Sequence, residues 1–127
     1  MWFTKEELIW IAKHQKTLTI RSFMKNGRMP INIGTKTWLK TGSYTSKEQY
    51  GRIKIKSAIV KPLKEMTLQD ALNGGYNSVD AYIDDQLSTY NADCDLDTEM
   101  IFYEFEILSI NWDLINGLII EAESIKN

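Results

Sequence analysis

The chain has 127 residues, 43% of them hydrophobic and 25% charged, with a formal net charge of −2. This excludes the low-hydrophobicity, high-charge regime of disordered chains and leaves room for one core, so a single domain over 1–127 is expected. No apolar run approaches the roughly 18 residues of a membrane span, and the first residues lack the basic-then-apolar order of a signal peptide.

The single cysteine, Cys94, cannot close an internal disulfide, so a cytoplasmic setting is expected. It lies in "NADCDLDTE" among acids that raise a thiol's pKa, and it reads as inert. The charge is uneven along the chain. Residues 1–64 hold fourteen of the fifteen Lys and Arg against Glu6, Glu7 and Glu48, a net of +11; residues 65–127 hold Lys126 against fourteen acids, a net of −13. Such asymmetry predicts a positive surface for an anionic partner, nucleic acid being the commonest, unless the two halves neutralise each other in the fold.

In chain order, Thr4-Lys5-Glu6-Glu7 has capping-box form, and Leu8, Ile11 and Ala12 follow at helical spacing, predicting a helix over about 4–14 that ends near His14. "QKTLTIRS" (15–22) alternates as a strand, with Leu18 and Ile20 inward and Thr17, Thr19 and Arg21 on the other face. A loop punctuated by Gly27, Pro30 and Gly34 carries Lys25 and Arg28. "TKTWLKTG" predicts a strand. "YGRIKIKSAIVKPL" predicts a long one, with Ile53, Ile55 and Ile59 on one face and Arg52, Lys54 and Lys56 on the other.

Thr67 caps a short helix that stops at Gly74-Gly75. Ser78 starts another, in which Val79, Tyr82, Ile83 and Leu87 share a face. "EMIFYEFEIL" predicts a buried strand. "WDLINGLIIEAESI" predicts a C-terminal helix with Leu114, Ile115, Leu118, Ile119 and Ala122 on one stripe. Strands dominate the middle and are too interleaved for βαβ winding. The order suits an α+β fold, a small β-barrel with helices across its openings and an added C-terminal helix.

Three patterns carry little chemistry. Asp93-x-Asp95-x-Asp97 has the start of a calcium loop but Thr98 in place of the required glycine, and reads as a solvated acidic loop. His14 is the only histidine and has no cysteine cluster beside it, so no metal site is expected. Gly74-Gly75 follows a helix, the wrong end for anion capture. Trp38, Tyr44 and Tyr50, interleaved with Lys36, Lys40, Lys47 and Arg52, form the mixture that base stacking with phosphate contacts requires.

Lys16-Thr17-Leu18-Thr19-Ile20-Arg21, followed by a polar loop, barrel strands, a helical insert and the closing "FYEFEIL" strand, resembles the ASCH family of the PUA superfamily over roughly residues 5–108. The stretch 109–127 lies outside it. The family pattern of glycine, lysine, carboxylate or hydroxyl, and arginine appears here as His14-x-Lys16-x-x-Thr19-x-Arg21. The K-T-x-T-I-R reading is similar to the bacterial acetylcytidine amidohydrolases. The resemblance implies a PUA-like barrel, no cofactor, and either RNA or nucleotide binding or hydrolysis of a modified cytidine.

Two positions depart from the family. His14 stands where the motif has glycine, and Gly75 stands where the amidohydrolases have a catalytic glutamate, with Asp70 and Glu65 the nearest stand-ins. We therefore expect an RNA- or nucleotide-binding module whose pocket wall is Thr17, Thr19 and Arg21 with Lys16 at its mouth and Lys40 and Trp38 beside it. Lys25, Arg28, Lys54 and Lys56 would form the nucleic-acid surface. The alternatives are an amidohydrolase in which Lys16 activates Thr19, with activity depressed by the missing acid, and a protein–protein adaptor using the C-terminal helix.

Overall fold

A computed structural model describes residues 1–42, 46–90 and 94–126. Thr4 Oγ1 accepts from Glu7 N at 3.1 Å and Glu7 Oε1 accepts from Thr4 N at 3.0 Å, closing the capping box that starts helix α1, Lys5–Ala12. The helix ends two residues earlier than its periodicity implies. His14 turns to φ +58°, a left-handed conformation, and reverses the chain. Strands β1 (Leu18–Arg21), β2 (Lys36–Trp38) and β3 (Gly51–Pro62) follow, then a 3-10 turn at Leu63–Glu65. Helices α2 (Leu68–Asn73) and α3 (Val79–Tyr90), strand β4 (Glu99–Ile110) and helix α4 (Trp112–Lys126) complete the order.

The four strands form one antiparallel sheet in the order β1-β4-β3-β2. The sheet is open, which corrects the closed barrel expected from the sequence. Only β3 and β4, of 12 residues each, are long; β1 and β2, of 4 and 3 residues, lie on opposite edges and do not pair with each other. The chain start extends the β2 side, where Phe3 N donates to Lys40 O at 2.9 Å and Lys40 N to Met1 O at 3.0 Å. From there to β1 the link is a side chain, with Arg21 Nη2 donating to Trp2 O at 2.8 Å.

Helices pack on both faces of the sheet, on the second face only at its β1–β4 side. On one, Ile53, Ile55, Ile101, Tyr103 and Phe105 pack with Leu8 and Ile11 of α1 and Ile115 and Leu118 of α4. On the other, Leu18, Ile20, Met100 and Phe102 pack with Ala71 of α2 and Tyr82 of α3. β1 is therefore buried on both sides, and Thr19, opposite Tyr103, is only 3% exposed.

Ile59 does not share a face with Ile53 and Ile55, as strict alternation implies. A register shift between Ile55 and Ser57 inserts one residue, so Ala58 takes the inner face and Ile59 is 53% exposed. No described helix is long and apolar enough to cross a membrane.

Candidate functional site

A cleft of about 570 Å³ opens at the free edge of β1, between α1 and α3. Thr19 and Arg21 come from β1, Glu6, Glu7 and Trp10 from α1, and Tyr82, Asp85, Gln86 and Tyr90 from α3; Tyr76 and Trp2 complete the walls. Arg21 is held by three contacts. Its Nε donates to Thr19 Oγ1 at 3.1 Å, its Nη2 to the Trp2 carbonyl, and its guanidinium lies 4.9 Å from the Phe3 ring centroid. These fix a cation at the rim and leave the Thr19 hydroxyl accepting rather than donating in that bond.

Lys16 precedes the regular strand and lies beneath the cleft wall, 1% exposed. Its Nζ donates to Gly74 O at 3.0 Å, sits 3.5 Å from Glu7 Oε2 and faces the Tyr82 ring at 5.3 Å. Burial pulls its pKa down to about 8, with Glu7 opposing that shift and Arg21 adding to it. Gly74 is required there, because a Cβ would fall 2.2 Å from a Tyr82 ring carbon. The Tyr76 and Tyr82 rings stack at 4.2 Å, and Trp10 meets Tyr76 edge-on at 5.7 Å. Burial first, and then the hydrogen bond to Asp85, push the Tyr76 phenol up.

Two polar groups in this wall have no partner among the described residues. Tyr82 Oη and Gln86 Oε1 are both buried and unbonded, one helical turn apart on α3. The sequence signal for Gln86 was a polar residue four positions after Tyr82, on the stripe read as core.

Of the residues singled out from sequence, Thr19 and Arg21 share this cleft and Lys16 reaches it through Glu7. Thr17 does not. With His14, Lys56, Asn73, Glu104 and Glu106 it lines a separate recess of about 440 Å³. Trp38 stacks under the Arg52 guanidinium at 5.3 Å and does not line the cleft, whereas Lys40 touches the rim by lying 5.6 Å over the Trp2 ring. Lys25 and Arg28 are exposed on their loop and line none of these cavities. Of the interleaved aromatics, Tyr50 is buried in the core, and Tyr44 lies outside the described residues, as does Asp93.

The proposed stand-in acids are elsewhere. Burial alone would raise the Asp70 carboxyl, but Lys61, 2.6 Å away, and the Thr67 cap hold it below its usual range; Glu65 is exposed on the 3-10 turn. The carboxylates that do line the cleft are Glu6, Glu7 and Asp85. Gly75, where the resemblance to the amidohydrolases would put a glutamate, has φ +93°, and a Cβ there would meet Trp10 at 3.0 Å. A glutamate at 75 is therefore strained. Cys94, raised first by burial and then by Asp95, is not an activated thiol.

Compared with known proteins, the chain matches no family model and no curated protein. Solved structures do match. The ASCH domain from Lactobacillus crispatus aligns at TM-score 0.67 and 13% identity, over 82% of this chain and 71% of that one. A DUF984 protein from Enterococcus faecalis aligns at 0.66 and 15%, over 86% and 76%. ASCH from Zymomonas mobilis aligns at 0.56 and 13%, over 89% and 72%. The fold of this chain is that of ASCH domains.

Proposed function

We propose that this protein binds RNA or a nucleotide by seating one base in the cleft between α1, β1 and α3. The unpartnered pair, Tyr82 Oη and Gln86 Oε1, carries the reading. A buried polar group without a partner costs about 1–3 kcal/mol, and a base edge supplies an acceptor for the hydroxyl and a donor for the amide oxygen. The aromatic wall of Trp10, Tyr76 and Tyr82 gives the base a surface to pack on, and Arg21 faces a phosphate or carbonyl oxygen. Glu7 and Asp85 accept from an exocyclic amino group, which favours cytosine, adenine or guanine over uracil. Titrating the protein with the four nucleoside monophosphates, followed by tryptophan fluorescence, tests this. Uridylate should bind weakest and Gln86→Leu should weaken binding of the others about tenfold; no binding of any of the four at millimolar concentration refutes it.

A second reading, hydrolysis of an acylated cytidine, is favoured by one observation: Glu7 puts a carboxylate in the cleft against Lys16, although position 75 has none. In this scheme Thr19 Oγ attacks the acyl carbon, Glu7 relays the proton to the departing amine, and water then releases the acyl group from Thr19. Incubation with acetylcytidine and chromatography of the products tests it. Turnover that disappears in both Glu7→Gln and Thr19→Ala supports hydrolysis, while turnover that survives Glu7→Gln removes the proposed role of that acid.

A further inference from the structure

We propose that RNA extending from the cleft continues across the outer face of the β2–β3 ribbon, with a base stacked on Trp38 and phosphates held by Lys36 and Lys54. This rests on the base-binding reading of the cleft and adds a second subsite to it. In the β2–β3 register, Lys36 stands opposite Lys54 and Trp38 opposite Arg52. Direct partners in an antiparallel pair point the same way, so all four side chains share one face, while Ile53 is buried on the other.

Two features make this face unusual for a structural surface. Like charges directly opposite each other destabilise a ribbon, and neither Lys36 nor Lys54 forms an ion pair among the described residues, although Glu106 is Lys54's register partner on β4. Trp38 is 41% exposed while carrying the Arg52 guanidinium over its ring, and Arg52 Nε is buried without a hydrogen-bond partner. An anionic chain with flat bases neutralises the lysines and uses the exposed indole; an apolar partner would do only the second.

The face is continuous with the cleft. Lys40 follows Trp38 by two residues, and its ammonium lies over Trp2, which lines the cleft rim. The pair of Lys40 over Trp2 is thus followed along the strands by the pair of Arg52 over Trp38, and two residues further on each strand by Lys36 and Lys54.

Binding of cytidine monophosphate and of a short oligocytidylate should be compared in the wild type, in Trp38→Ala and in Lys36→Ala/Lys54→Ala. The oligomer should bind the wild type more tightly than the monomer. Trp38→Ala should weaken the oligomer by on the order of tenfold and leave the monomer unchanged. The double lysine variant should flatten the plot of log affinity against log salt by about 1.4, from about 0.7 per lost phosphate contact. Both variants leaving oligomer affinity and salt slope at wild-type values would overturn the inference, as would an oligomer that binds no better than the monomer; in either case monomer binding would leave the cleft reading standing. If neither ligand binds the wild type, the cleft reading fails and the second subsite fails with it.

Discussion

On the flank of α1 that faces α4, Lys5 Nζ meets Glu121 at 2.8 Å, with side-chain exposures of 58% and 50%. On the cleft flank, Glu7 stands 3.5 Å from Lys16 Nζ, with exposures of 24% and 1%. The two lysines respond in opposite directions. Lys5 is raised, first by its hydrogen bond to Glu121, whereas burial drags Lys16 down to about 8 despite its carboxylate partner. Distance alone ranks the pairs wrongly. Water screens the short contact, while the long one holds a charge that has nowhere else to go. One flank adheres a helix; the other keeps a perturbed amine behind the wall of the cleft.

The largest expected effect follows from removing the carboxylate that Lys16 needs. Glu7→Ala should lower unfolding stability by about 2–3 kcal/mol in denaturant titration. That is somewhat below the usual cost of breaking a buried pair, because Glu7 remains partly exposed. Part of the loss is the capping bond to Thr4 N. A loss below about 0.5 kcal/mol would show that the two flanks do not differ.

A second effect isolates the lysine. The folded pKa of Lys16, about 8, is below its ordinary value of 10.5, so the unfolded chain holds more protons between those limits. Stability from this group is therefore least at pH 8 and below and rises through the window, by up to about 1 kcal/mol per pH unit. Comparing wild type with Lys16→Met between pH 8 and 10 should show that rise in the wild type alone. Equal slopes would mean that Lys16 titrates as a solvated amine.

The elements on which this comparison rests were largely legible in the sequence. Thr4 announces a capping box by its spacing to Glu7 and Thr67 reads as a cap; both hold, and the second closes a box with Asp70. The alternation in "EMIFYEFEIL" places Met100, Phe102, Ile101 and Tyr103 on the two buried faces of β4. What was not legible depends on which surfaces meet. Glu7 reads as a helix cap, and only the docking of α1 beside β1 makes it Lys16's partner. Ile59 follows the period of its strand until one inserted residue reverses it. Barrel closure needs an edge pairing that no local pattern specifies, and here Arg21 crosses the seam instead.

His14 gives a smaller and opposite effect. It holds φ +58° where the ASCH motif has glycine, and a non-glycine residue pays about 1–2 kcal/mol to be left-handed. His14→Gly should raise stability by about 0.5–1 kcal/mol, since glycine's greater unfolded-state entropy cancels part of the relief. Thermal unfolding measures it. A loss of stability would show that the imidazole makes a contact worth more than the strain.

The smallest effect belongs to the exposed flank and completes the contrast. Glu121→Gln removes the charge that Lys5 pairs with but keeps a side chain of the same shape. Both groups are half exposed, so the ammonium regains water when the carboxylate goes, and neither is left uncompensated. The attachment of α4 to α1 rests instead on Ile115 and Leu118, buried against Leu8 and Ile11. The change in unfolding stability should fall within the scatter of a denaturant titration, and raising salt should shrink even that. If Glu121→Gln proved as damaging as Glu7→Ala, proximity would outweigh burial in this protein. The 2.8 Å contact would then be part of what positions α1 over the cleft.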